Sequence, residues 1–150
     1  MGEIVFSSVL GSSYHEDLRK LLFFNPNQEQ DASHILEAVE RYGAPRISEK
    51  DDKLRVELDS GVEAQSLFVL DSQEPDARLV GVVVYTREGG TLVVVHVAVD
   101  EDYSNRGVNA DQMLFIRIIA GLRDVARHIK GVDSLTVFAG SAGAKRIRVR

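Results

Sequence analysis

Leu92-Val93-Val94-Val95-His96-Val97-Ala98-Val99 sets the architecture of this chain. The run is apolar on both faces and almost entirely β-branched, the pattern of a strand buried in the middle of a sheet. It passes through Asp100-Glu101-Asp102-Tyr103 into Ser104-Asn105-Arg106-Gly107-Val108-Asn109-Ala110, a short glycine-containing loop. From about Asn109 the apolar residues recur with helical period, and Met113, Leu114, Ile116, Ile118, Ile119 and Leu122 supply the apolar face. A helix whose first-turn N–H groups face such a loop is a place for an anion. Where that anion is a pyrophosphate, the usual ligand is a nucleotide cofactor.

Working outward, Leu79 to Arg87 reads as a neighbouring strand, turned into the Leu92 strand by Glu88-Gly89-Gly90. Ser66 to Asp71 is a third strand. Lys53-Leu54-Arg55-Val56-Glu57-Leu58 alternates charged and apolar residues, as a half-exposed strand does. Short connections join these four, which predicts a sequential antiparallel meander. Upstream, Glu3 to Val9 is a strand, and Ser12 or Ser13 caps a helix to about Phe24 with Leu18, Leu21 and Leu22 inward. Asn25-Pro26-Asn27 breaks that helix. A second helix spans Asp31 to Tyr42, carries Ile35, Leu36 and Val39, and ends at Gly43. Downstream of the helix at roughly 110–129, strands are predicted at Leu135 to Ala139 and Lys145 to Arg150, joined through Gly140-Ser141-Ala142-Gly143.

Composition narrows the classes. The 150 residues, 44% hydrophobic, suit one domain with a real core. A net charge of −5 disfavours nonspecific attraction to nucleic acid or to an anionic membrane surface. With no cysteine, disulfides, thiol nucleophiles and cysteine-bound zinc are excluded. No apolar run approaches the ~20 residues of a membrane helix, and the N-terminus reads as neither a secretory signal nor a myristoylation site, since Phe6 stands where Ser or Thr is wanted. The expectation is a soluble cytoplasmic protein, without membrane or nucleic-acid partners.

The element order, with a buried strand passing into a glycine loop and a long helix, resembles the GCN5-related N-acetyltransferase family. The family's cofactor segment ends an apolar strand in Val-x-x-x-x-Tyr and continues into Arg/Gln-x-x-Gly-x-Gly/Ala. Here Val99, Tyr103, Arg106, Gly107 and Val108 fall on the same or similar residues. The resemblance implies an α/β (α+β) domain over residues 1–150, a mixed, mostly antiparallel sheet flanked by helices on both faces. The family's final helix is missing, because only Gly140 to Ala144 separates the last strands. It further implies acetyl-coenzyme A as cofactor and a primary amine, on a small molecule or a protein, as acceptor. Backbone groups of Val97 and Val99 would hold the pantetheine arm, and Arg106, Gly107, Val108, Asn109 and Ala110 the pyrophosphate.

The pattern also departs from the family. Ser104 stands where Arg or Gln is preferred, Asn109 where Gly or Ala lets the backbone approach the pyrophosphate, and Asp111 adds negative charge to the first helical turn. Leu92, Val93 and Val94 replace the glutamate base of some members, and no tyrosine follows Tyr103 to serve as general acid. These departures motivate the alternative, a non-catalytic binding or oligomerisation module of the same fold, dimerising through a sheet edge.

Each candidate carries a structural reading beside the chemical one. The Arg106–Asn109 loop is a cofactor cradle or a connection capped by Asn109 with Gln112. His96, the single polar side chain of its strand, is the general-base candidate or a hydrogen-bonded core histidine; strict alternation puts it with Leu92, Val94 and Ala98. Asp100, Glu101 and Asp102 attract a cationic amine or form a solvated acidic loop. His15, Glu16 and His34 line an acceptor pocket or lie on the surface, and no histidine pair shows metal-ligand spacing. Arg146, Arg148 and Arg150 share one strand face, as an anion patch or as charges guarding a sheet edge. Tyr85 and Phe68 line a core or a pocket.

Overall fold

Strand β1 (Ile4–Ser7) is followed by a 3-10 turn (Ser12–Tyr14), helix α1 (His15–Phe23) and helical residues 38–42. Strands β2 (Pro45–Lys50), β3 (Lys53–Leu58), β4 (Gln65–Asp71), β5 (Arg78–Glu88) and β6 (Thr91–Val99) come next. After a 3-10 turn at Glu101–Tyr103 come α2 (Leu114–Arg127), β7 (Ser134–Phe138) and β8 (Ala144–Arg148). This computed structural model describes residues 3–23, 38–72, 77–103, 113–138 and 144–149. The main sheet has the order β1-β4-β5-β6-β7-β8. Every pair in it is antiparallel except β6 with β7, which is parallel. The fold is therefore of the α+β class, with a mixed, mostly antiparallel sheet, and the apolar Leu92 run lies inside it between β5 and β7.

The expected four-strand meander is only partly realised. β4, β5 and β6 follow one another as predicted, but β3 pairs with β2 in a separate two-stranded sheet. β2 escapes pattern reading because Ile47 is the one large apolar residue in Pro-Arg-Ile-Ser-Glu-Lys. A two-residue turn joins the pair, with Asp51 at φ 53° and Asp52 at φ 62°, the left-handed geometry that matches the twist of a tight hairpin. The alternation in β3 holds: Leu54, Val56 and Leu58 are buried while Lys53 and Arg55 face out. The hairpin is tied to the chain after β1, as Leu54 N donates to Leu10 O at 2.8 Å and Ser12 N to Asp52 O at 2.9 Å.

Helices cover both faces of the main sheet. On one, α1 buries Leu18, Leu21 and Leu22 with Leu54, Val56 and Leu58 of the hairpin and Phe68, Val82, Val84, Val93 and Val95 of the sheet. Each such leucine contributes roughly 1.5–3 kcal/mol by leaving water. The start of this helix differs from expectation: Gly11 occupies the cap position ahead of the 3-10 turn, and no side chain caps it. On the other face, α2 buries Leu114, Ile118, Leu122 and Ala126 at spacings of four against Leu135, Val137 and Val149. Met113 and Ile116, expected inward, are 56% and 58% exposed. Ile116 lies about 200° around the helix from Leu114, so one stripe cannot hold both. Gly121 gives α2 its close approach to the sheet, since a Cβ there would sit 3.3 Å from the Phe6 ring.

Candidate functional site

The central strand carries its histidine through a break in alternation. Val84 stands opposite His96, but Tyr85 stands opposite Val94, so Val95 is an extra residue on β6. Before the bulge Leu92 and Val94 pack beneath α2; beyond it Val97 and Val99 do so. Val93, Val95 and Ala98 pack on the α1 side. His96 thus leaves the face of Leu92 and Val94, where strict alternation puts it, and reaches Gly43 on the α1 side. Its Nε2 lies 3.2 Å from the Gly43 carbonyl oxygen. A carbonyl only accepts, so Nε2 carries the proton and Nδ1 is the basic atom of the neutral ring. Burial pushes the imidazole below its usual value, against the smaller upward pull of the Gly43 hydrogen bond.

Gly43 is itself specified by geometry. It follows helical residues 38–42 with φ +100°, its N–H donating to Val39 O at 2.9 Å, the left-handed C-terminal cap expected from the sequence. A Cβ there would lie 2.6 Å from Asp59 Oδ1 and 2.8 Å from Ser60 N. The bulge of the central strand, the end of a helix and the 59–60 turn therefore meet at one point.

Beside the bulge lies the parallel pairing with β7. Among the described residues the β6–β7 register runs from Thr91↔Ser134 to Val94↔Val137, and β6 pairs along β5 to Val99. Val97 and Val99 lie in this stretch, half-buried against the α2 core. The remaining residues expected to hold a cofactor, Arg106, Gly107, Val108, Asn109 and Ala110, lie outside the described residues, as do Ser104, Asp111 and Gln112. Where the description of α2 begins, Met113 stands at its cap position in a left-handed conformation, φ 51° and ψ 47°, with no side-chain cap bond.

A second cluster closes the far end of β6, and the sequence reading did not join its members. The Tyr103 hydroxyl donates to Asp71 Oδ2, and both residues are buried at 3% exposure. Arg78 lies over the Tyr103 ring, 5.7 Å from its centroid, and pairs with Asp100 at 3.0 Å and Asp102 at 3.1 Å. Burial first, then the Asp71 carboxylate, push the Tyr103 phenol up to about 12. Two of the three acidic residues after β6 are therefore engaged by one arginine. The available signal was Asp71 at the end of an apolar strand, a residue type seldom buried without a partner.

The other candidates separate. His15 and Glu16 are exposed, and Glu16 pairs with Arg19 at 2.8 Å; His34 lies outside the described residues. Phe68 and Tyr85 are buried on opposite faces of the sheet. β8 is an edge strand: Ile147 and Val149 enter the α2 core while Arg146 and Arg148 are exposed, and Arg150 lies outside the described residues. Among the described residues no three His, Cys, Asp or Glu side chains are grouped to hold a metal, and no helix is long and apolar enough to cross a membrane. Comparison with family models, curated proteins and solved structures finds no match.

Proposed function

We propose that this chain binds acetyl-coenzyme A and transfers its acetyl group to a primary amine, as an N-acetyltransferase-like protein. The observation that carries the reading is the bulge of the central strand at Val95, beside its parallel pairing with β7. A bulge frees main-chain groups from the ladder, and such groups can meet an extended amide-bearing arm as strand addition does. Val97 and Val99 follow the bulge, and the chain then leads through Tyr103 toward the Arg106–Ala110 segment, assigned to the pyrophosphate.

Bound there, acetyl-coenzyme A supplies an activated acyl group as a thioester. The residues of this chain orient the acceptor and manage its proton. A protonated amine must lose a proton before its lone pair can attack. His96 is the nearest basic group on the strand, and Nδ1 is the atom that would take that proton, directly or through water. Positioning supplies most of the rate in a reaction of this kind, which suits a site with so little acid–base machinery.

A second reading, a non-catalytic binding or oligomerisation module, is favoured by one observation: His96 is buried and its Nε2 is already committed to Gly43. One experiment separates the two. Thermal unfolding is followed with millimolar acetyl-coenzyme A, with coenzyme A and with ATP as control. A ligand that binds only the folded state raises Tm by mass action. A rise specific to the coenzyme, abolished by Gly107→Trp, supports the enzyme reading and justifies an amine screen. A sharp unfolding transition that does not move rejects it and leaves the module.

A further inference from the structure

The two faces of the main sheet differ in character at β7 and β8. On the α1 side the core draws on β3, β4, β5 and β6, and no described residue of β7 or β8 enters it. Those two strands turn Leu135, Val137, Ile147 and Val149 toward α2. Alternation then puts Ser134, Thr136, Arg146 and Arg148 on the α1-side face, beyond the reach of the helix. The register aligns them in rows: Thr86, Val93, Thr136 and Arg146 in one, Glu88, Thr91, Ser134 and Arg148 in the next. Thr136 is half-buried, Ser134 is buried with its hydroxyl bonded to that of Thr91 at 2.9 Å, and both arginines are exposed.

Neither arginine forms an ion pair among the described residues, although the chain carries five more negative than positive charges. The acid in the Arg148 row is Glu88, three strands away, and it accepts the Tyr42 hydroxyl at 2.8 Å. Arg41 lies over that tyrosine ring, 5.4 Å from its centroid, adding a cation at the covered end of the row. Two guanidinium groups two residues apart on one strand face stand roughly 7 Å apart at the backbone, within reach of a single oxyanion. A hydroxyl-bearing strand beside them supplies neutral donors.

We infer that the exposed arginines on the α1-side face of the β7–β8 hairpin form an oxyanion-binding shelf, gripping the phosphate or carboxylate group of a small-molecule ligand through Arg146 and Arg148 beside Thr136. The inference does not depend on acetyl transfer. It differs from edge protection in what it requires: guarding an edge needs only charge, whereas gripping an oxyanion uses the planar donor fork of arginine.

Calorimetric titration with pyrophosphate and with citrate, at low ionic strength and against matched sodium chloride, tests it. The wild-type chain binds at least one of the two, and which one tells phosphate from carboxylate. Arg146→Gln and Arg148→Gln each weaken binding tenfold or more while leaving the anion-free Tm unchanged, and the double Lys variant binds less tightly than wild type. No binding of either probe overturns the shelf. So does binding of equal strength in both Gln variants, whether or not they self-associate. Pyrophosphate binding that acetyl-coenzyme A displaces and the Gln variants retain belongs to the cofactor segment, and it overturns the shelf while supporting the acetyltransferase reading.

Discussion

His96 Nε2 donates to the Gly43 carbonyl oxygen at 3.2 Å, so the bulge of the central strand is fastened to the glycine that ends helical residues 38–42. Removing the donor leaves a buried carbonyl without it, which costs about 1–3 kcal/mol. His96→Ala should lose that much in denaturant unfolding, plus the packing of the ring. His96→Gln, whose amide can still donate, should lose less.

The same histidine makes stability depend on pH. Burial holds its folded-state pKa below the ordinary 6.5, so between the two values the unfolded chain binds more protons. Stability from this source is complete above 6.5 and is lost as pH falls from there through the folded value. Tm measured from pH 8 down to 5 should drop through that window in wild type and drop less in His96→Gln. Equal profiles for the two proteins would exclude His96 as the source.

Two glycines with left-handed backbones separate strain from collision. Gly61, at φ +84°, has nothing within 4 Å of an added Cβ, whereas at Gly43 the Cβ meets Asp59 and the Ser60 backbone. Gly61→Ala should cost about 1 kcal/mol, the conformational term alone. Gly43→Ala should cost about 3 kcal/mol or more, and chemical denaturation of the two variants side by side checks the difference.

The hairpin turn offers a stabilising change. Asp51 and Asp52 both hold φ near +60°, which glycine adopts without penalty. Asp52→Gly should raise stability by about 0.5–1 kcal/mol, because its carbonyl, the acceptor for Ser12 N, is retained. A fall in Tm would show that the aspartate side chain contributes something beyond the turn geometry.

Tyr103 and Asp71 form a pair whose halves depend on each other. Tyr103→Phe strips a donor from a buried carboxylate and should cost about 2–3 kcal/mol, and Asp71→Asn in that background should recover part of it. The phenol is raised to about 12 from 10, so its contribution is complete below pH 10 and disappears as pH rises through 12. Alkaline titration of tyrosine absorbance should show Tyr103 ionising last.

Much of this was open to reading along the chain, and the rest was not, for one physical reason. Local periodicity marks an element and its buried face. Hence the central position of Leu92–Val99, the inward leucines of α1, the cap at Gly43 and the charged edge strand β8 all follow from residues within a turn or two of one another. Pairing across the chain carries no local mark. β2 has one large apolar residue, so its union with β3 in a second sheet is decided by the hairpin turn and by docking on Leu10. The face of His96 is decided by a register shift against β5 that a period of two cannot express.

By itself, then, the amino-acid sequence determined the α+β class, the middle strand and the side chains that leave water, because alternation and helical repeat are properties of neighbours. Tertiary structure alone decided that His96 meets Gly43, 53 residues away, and that Tyr103 meets Asp71, 32 residues away. A buried donor must find its acceptor wherever the folded chain brings one, and the cost of leaving it unmet is what holds such distant pairs together.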